Sequence, residues 1–209
     1  MLEITNVKVY DLNESIMASG YAMMTQPFNR PLECYDESYS EFGKALERCR
    51  KLVSAEEMSG ISCHSNFLTG VRVSFDVRYP QYWSPEFQRY HFADIVTSSS
   101  KMHRLKSMDM EECMNGHVDD RVKDVMKEKV EAYNQATLDP NSTREDREKA
   151  FMEMLSNCPL GLELFMRVST NYKQLRTMYK QRKNHRLPDW RVFCQWIETL
   201  PYADDFLIN

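Results

Sequence analysis

From Val71 to Arg78 the chain alternates strictly, with Val71, Val73, Phe75 and Val77 apolar and Arg72, Ser74, Asp76 and Arg78 polar. A period of two puts all the apolar side chains on one side of a pleated backbone, which predicts a strand with one buried face. Residues 2–10 alternate more loosely (Ile4, Val7, Val9) and predict a first strand. Elsewhere the spacing is helical. Phe42, Ala45, Leu46, Cys49 and Leu52 predict a helix from Glu37 to Val53. Asp119 to Ala136 reads as an amphipathic helix through Val122, Val125, Met126, Val130 and Tyr133, with Lys and Glu on its solvated face. Thr143-Arg144-Glu145-Asp146 starts another helix, carrying Ala150, Phe151, Met154 and Leu155 until Asn157-Cys158-Pro159 breaks it. Asp11 and Glu14 have the spacing of a reciprocal cap, predicting a helix that runs to about Met24, and Pro27 and Pro31 bound a loop. Val192, Phe193, Trp196 and Ile197 predict a final packed helix halted by Pro201.

Two stretches break the simple patterns. Between Tyr79 and Arg104 a turn leads into a short helix, with Ser84 placed to cap it and Pro85 preset at its first position. Phe87, Tyr90 and Ile95 are expected on its buried face, with Glu86, Arg89 and His91 along one rim. The hydroxyls of Thr97-Ser98-Ser99-Ser100 compete for the backbone and disfavour a helix. Followed by Lys101, His103 and Arg104, they read either as a solvated loop or as an anion cradle. The second stretch, Leu160 to about Lys183, begins apolar (Leu162, Leu164, Phe165, Val168) and ends basic. Lys173, Arg176, Lys180 and Lys183 share one helical side, which is either a solvated face or a cationic site.

Length and charge narrow the classes. A chain of 209 residues is read as one domain with a substantial core, and its 42% hydrophobic and 28% charged residues are ordinary for a soluble protein. A net charge of −4 argues against whole-surface nucleic-acid binding while leaving room for a local basic site. No apolar run approaches the ~20 residues that span a bilayer, and the N-terminal segment lacks the features of a signal peptide. The expected setting is the cytoplasm, without membrane association. Six cysteines are scattered without a CxxC pair, as in reduced intracellular proteins. Cys63 and His64 adjoin but lack spaced partners for zinc, so no metal is expected. Asn141-Ser142-Thr143 is formally a glycosylation sequon and is read as a loop.

The segment from Arg89 to Lys101 resembles the signature of flavin-dependent thymidylate synthases, RHRxxSxNExSxR. Arg89 matches the first Arg, Ser99 the second Ser, and Lys101 stands for the final Arg. Tyr90 and His91 stand for His-Arg, Asp94 for the first Ser, and Val96-Thr97 for Asn-Glu. Upstream, Pro80, Tyr82 and Phe87 fit the family's PxYxxxxF lead-in. In the same register His64 falls on the first His of a flavin-contacting loop, with Gly70 in place of the second. Asn171, Lys173, Leu175, Met178 and Arg182 fall on the family's NxRxLxxFxxLR helix, and Arg186 and Trp190 lie near its HAQW segment. Pro159 ends an RxxxP pattern whose Arg is replaced by Leu155.

The resemblance spans nearly the whole chain. It implies an α+β fold, a twisted, mainly antiparallel sheet flanked by helices of the thymidylate synthase-complementing-protein kind, in a single domain over residues 1–209. It also implies a homotetramer with sites between subunits, binding FAD and a pyrimidine nucleotide. The implied reaction moves a one-carbon unit from methylenetetrahydrofolate to C5 of dUMP, with NADPH as reductant. Arginines suit this chemistry, because paired N–H donors grip phosphate and fixed charge stabilises a base as it becomes negative. Arg89, Ser99, Lys101 and Arg182 form the implied nucleotide set, with Glu86 beside them and Arg182 and Ser99 as the catalytic pair. His64, Tyr90, His91, Asn171 and Lys173 form the implied flavin set. The departures from the signature leave two other readings: a non-catalytic nucleotide-binding or interaction module on the same fold, or a nucleic-acid binder using Lys173–Arg186 with Tyr172 and Tyr179 interleaved.

Overall fold

The computed structural model describes residues 2–60 and 63–208. In chain order it contains β1 (Glu3–Tyr10), α1 (Leu12–Ala18), α2 (Ser40–Ser59), β2 (Arg72–Pro80) and α3 (Ser84–Phe87). Then come β3 (Asp94–Ser98), α4 (Lys101–Arg104), α5 (Asp120–Leu138), α6 (Arg144–Ser156) and β4 (Glu163–Asn171). The chain finishes with α7 (Tyr172–Arg182), α8 (Pro188–Glu198) and α9 (Ala203–Phe206). The strands form one open antiparallel sheet in the order β1-β2-β4-β3, the mixed α+β class expected from the sequence. Its edge strand β1 is mostly exposed and holds Asn6 in the left-handed conformation, φ 50°.

The described residues divide into two compact units. The first is drawn from Met1–Glu3, Val77–Arg89 and Ile95–Arg167, and the second from Ile4–Asp76, Tyr90–Asp94 and Val168–Asn209.

In the first unit, the Trp83 and Phe87 rings stack at 4.7 Å, with Tyr79 against Trp83 at 5.9 Å. The helix there is shorter than predicted. Trp83, not Ser84, occupies the cap position, because the turn already closes through the Trp83 N–H to the Pro80 carbonyl. The Ser84 hydroxyl instead accepts from the Gln88 side chain at 2.9 Å. With α3 ending at Phe87, only Phe87 of the predicted apolar face is fully buried, and Tyr90 and Ile95 are half-buried outside it. Helix α5 also departs from its pattern. Val122 and Val125 are exposed and Met126 is its buried residue, while ion pairs such as Lys123–Asp120 support a surface that is polar nearly all round. Helix α6 begins where predicted, and the structure adds a reciprocal cap: Thr143 Oγ1 accepts from the Asp146 N–H, and Asp146 accepts from the Thr143 N–H. Thr143→Ala removes that hydroxyl and is expected to cost about 1 kcal/mol of stability, read as a lower urea midpoint.

In the second unit, Phe75 of β2 lies 4.6 Å from Trp196 and 6.0 Å from Phe193, both on α8. Helix α1 stops at Ala18, well before Met24. Asp11 is left-handed (φ 56°) and makes no side-chain cap, and Arg48 takes over the far end of the helix. Arg48 donates to Ser19 Oγ at 3.1 Å and to the Met17 carbonyl at 3.3 Å. A Cβ on Gly20 would meet its guanidinium at 2.7 Å, so the chain turns away at the one residue that leaves it room. Helix α2, by contrast, runs six residues past its predicted end at Val53, until Gly60 closes it in the left-handed conformation with its N–H on the Glu56 carbonyl at 2.9 Å. That extra length carries Glu56 and Glu57.

Residues 160–183, read as one stretch passing from apolar to basic, hold a strand and a helix. In β4, Leu164, Met166, Val168 and Thr170 point inward, while Phe165 is 65% exposed. The chain converts to α7 at Asn171, whose side-chain oxygen accepts from the Gln174 N–H at 2.9 Å.

Candidate functional site

The implied site residues fall in both units. Glu86, Arg89, Ser99 and Lys101 belong to the first; His64, Tyr90, His91, Asn171, Lys173 and Arg182 belong to the second.

In the first unit, Glu86 is half-buried in α3 and Arg89 is exposed just beyond it. Ser99 extends the β3–β4 pairing: its N–H donates to the Phe165 carbonyl at 2.9 Å, and its Oγ accepts from the Phe165 N–H at 3.1 Å. The hydroxyl keeps its own proton to donate. The hydroxyl run is therefore strand through Ser98, with Ser100 leading into α4, where Lys101 is half-buried and His103 and Arg104 are exposed. A separate cavity of about 270 Å³ is lined by Arg78, Asp109, Glu112, Cys113, Glu163 and Phe165 among others, none of them in the implied sets. Arg78 there donates to Glu163 at 2.7 Å and to the Glu112 carbonyl at 2.6 Å.

In the second unit, Arg182 sits in the last turn of α7. Its guanidinium carbon lies 4.7 Å from the centre of the Trp190 ring and 5.7 Å from that of Tyr90. Its Nε donates to the Tyr90 hydroxyl at 2.8 Å, and that hydroxyl donates to Gln181 Oε1 at 2.9 Å. Two implied residues are thus brought into direct contact, and Trp190, which belongs to neither implied set, forms the floor. The backbone beside them is tied as well, with Thr170 Oγ1 donating to the Phe92 carbonyl at 2.7 Å. His91 is exposed.

Asn171 and Lys173 are used inside the fold. Asn171 caps α7. Lys173 Nζ lies 2.7 and 2.9 Å from the two Glu56 carboxylate oxygens and 2.6 Å from Ser65 Oγ. Arg176, only 3% exposed, donates to Glu56 at 2.9 Å and to Glu57 at 2.6 Å, and Lys180 pairs with Glu57. Glu56 also accepts from the Ser65 N–H at 3.0 Å and its hydroxyl at 2.7 Å. Burial alone would raise the Glu56 carboxyl, but hydrogen bonds from Lys173 and Ser65 overcome it and hold the group at about 2. Burial draws the Arg176 guanidinium down, against the pull of Glu56. His64, next to the buried Ser65, is exposed.

The basic side of α7 is therefore largely neutralised from within, rather than solvated. The aromatic residues interleaved with it are interior: Tyr172 is fully buried with its hydroxyl on the Pro201 carbonyl at 2.9 Å, and Tyr179 is 8% exposed with its hydroxyl on Glu198 at 2.8 Å. They cannot stack on bases, which removes the aromatic part of the nucleic-acid reading. Sequence reasoning missed Glu56, Glu57 and Ser65. The available signal was an acidic pair opposite in sign to the three- and four-residue steps of Lys173, Arg176 and Lys180.

The open antiparallel sheet with its helices places the chain in the fold of the flavin-dependent thymidylate synthases. Thymidylate synthase X from Helicobacter pylori, crystallised with FAD and dUMP, is similar with a TM-score of 0.66 at 15% identity, over 100% of this chain and 98% of that one. A flavin-dependent thymidylate synthase from the same organism, complexed with FAD and dUMP, gives 0.63 at 15% identity over 98% of each chain. No protein-family model and no curated protein matches the sequence. Among the described residues, no helix is long and apolar enough to cross a membrane.

Proposed function

We propose that the chain is a divergent flavin-dependent thymidylate synthase-like enzyme that binds a pyrimidine deoxynucleotide and FAD and transfers a one-carbon unit to C5 of the base, a dUMP-to-dTMP type of reaction. The observation that carries this reading is the end-to-end agreement of its fold with proteins crystallised with FAD and dUMP. The working form is a homotetramer in the cytoplasm, with methylenetetrahydrofolate and NADPH as co-substrates.

Arg182 holds the nucleotide. Its orientation is set by Trp190 and Tyr90 before any ligand arrives, so little freedom is lost on binding. Its positive charge stabilises negative charge developing on the base. Arg89 and Lys101 contribute positive charge toward the phosphate, and Ser99 a hydroxyl whose oxygen is held by the Phe165 N–H. Lys101 does so as a point charge, without the planar fork of an arginine. FAD supplies the redox chemistry of the transfer. His64, Tyr90 and His91 fit it, two through exposed imidazoles and one through a phenol beside Arg182. Asn171 and Lys173 do not fit as direct contacts, since their polar atoms serve the α7 cap and Glu56.

Purified protein is expected to be yellow or to bind added FAD, with dUMP perturbing the flavin spectrum. Arg182→Gln is expected to weaken dUMP binding roughly tenfold or more, the loss of a charge-assisted bond worth about 1.5–3 kcal/mol. A colourless protein without FAD affinity overturns the enzyme reading. The Glu56–Lys173 pair favours one second reading, a nucleotide-binding module that has lost flavin chemistry. Nucleotide binding without flavin, undiminished by His91→Ala, identifies it.

A further inference from the structure

Around Glu56, four donor groups converge from two elements. The loop after α2 supplies the Ser65 N–H and hydroxyl, and α7 supplies the Lys173 ammonium and the Arg176 guanidinium, with Lys180 held close by through Glu57. Two cations, a backbone N–H and a hydroxyl aimed at a single pair of oxygens is how proteins hold a phosphate. Here the oxygens are the chain's own. Glu56 reaches them because α2 runs on to Ser59 before Gly60 turns the chain.

We infer that the Glu56 carboxylate is the resident anion of this corner, standing where a ligand's phosphate would stand against Lys173 and Arg176 and fixing the loop that carries His64 onto α7. Glu56 is a positioning residue. It holds Ser65 by two hydrogen bonds, and Ser65 is bonded in the chain to His64. Lys173 acts on His64 by the same route. With Glu56 in place the corner has little affinity for an external phosphate, and without it the corner is a phosphate site. The inference goes beyond the enzyme reading, and its test needs neither FAD nor dUMP.

The test compares the full chain with Glu56→Ala, using inorganic phosphate against chloride at matched ionic strength. Glu56→Ala is expected to melt several degrees lower and to regain at least half of that loss in tens of millimolar phosphate. The wild-type protein should move by less than a degree. Amide exchange at Ser65 is expected to speed at least tenfold in the variant and to slow again with phosphate. Adding Lys173→Met should abolish the rescue, which a merely structural role for Glu56 does not predict. Glu56→Gln, which keeps the side-chain shape, is run in parallel. If neither single variant folds in chloride, phosphate in the refolding buffer must restore folding of Glu56→Ala. The inference is overturned if phosphate moves wild type and variant equally, if rescue survives Lys173→Met, if phosphate restores nothing, or if Glu56→Ala is as stable as wild type.

Discussion

Trp190→Ala is expected to lower the unfolding free energy by about 3–5 kcal/mol, the usual range for emptying a fully buried tryptophan site. Trp190 packs edge-on against Phe193 at 5.7 Å and Tyr90 at 6.0 Å, and it is the nearer of the two rings under the Arg182 guanidinium. The variant thus loses apolar packing and a cation–π contact together. Trp190→Phe retains much of the packing and should lose less than half as much. A double-mutant cycle of Trp190→Phe with Arg182→Gln isolates the ring–cation coupling, expected at about 1 kcal/mol. Urea unfolding gives all the terms. A cost below 1 kcal/mol for Trp190→Ala would mean that this aromatic floor does not hold Arg182.

The second large effect depends on pH. A carboxyl held at about 2 instead of the ordinary 4.5 has its ionised form favoured by roughly 3 kcal/mol. Because the folded-state value lies below the unfolded one, this stability is fully present above about 4.5 and is lost as the pH falls toward 2. Glu56→Gln should therefore cost roughly 3 kcal/mol at neutral pH, or somewhat more, since buried Arg176 loses one of its two carboxylate partners and keeps Glu57 alone of that pair. The gap between wild type and variant should close progressively below about pH 4.5. Urea midpoints measured at pH steps from 7 down to 3 provide the check. A gap that stays constant over that range would show that Glu56 acts by packing and not by charge.

These residues also show what could be read from the chain alone. The β2 alternation, the start of α6 and the α8 face follow from local periods and single side chains, and each formed as its pattern required. Strand β4 did not announce itself, because exposed Phe165 sits among inward-facing Leu164, Met166 and Val168 and blurs the period of two. Helix α1 ended early through Arg48, about thirty residues further on, which no local window contains. The same distance effect governs the site. Tyr90 and Arg182 were singled out separately by their places in two motifs, but the hydrogen bond joining them spans 92 positions. Lys173 was legible as a cation, while its partner lies 117 residues away in a helix whose predicted end fell short of it. Local spacing identifies which charges exist. Tertiary folding decides which of them remain for a ligand.

The left-handed turn at Asn6 has a bearing on solubility. A regular outer strand would offer a continuous ladder of N–H and C=O groups on which a foreign strand could template and polymerise. One residue at positive φ departs from that regular extended backbone, and asparagine tolerates this conformation better than most residues with a side chain. Lys8, two positions on in the same strand, adds the kind of charge that discourages strand-on-strand growth. Both features are of the kind that discourage strand addition along this edge of the sheet.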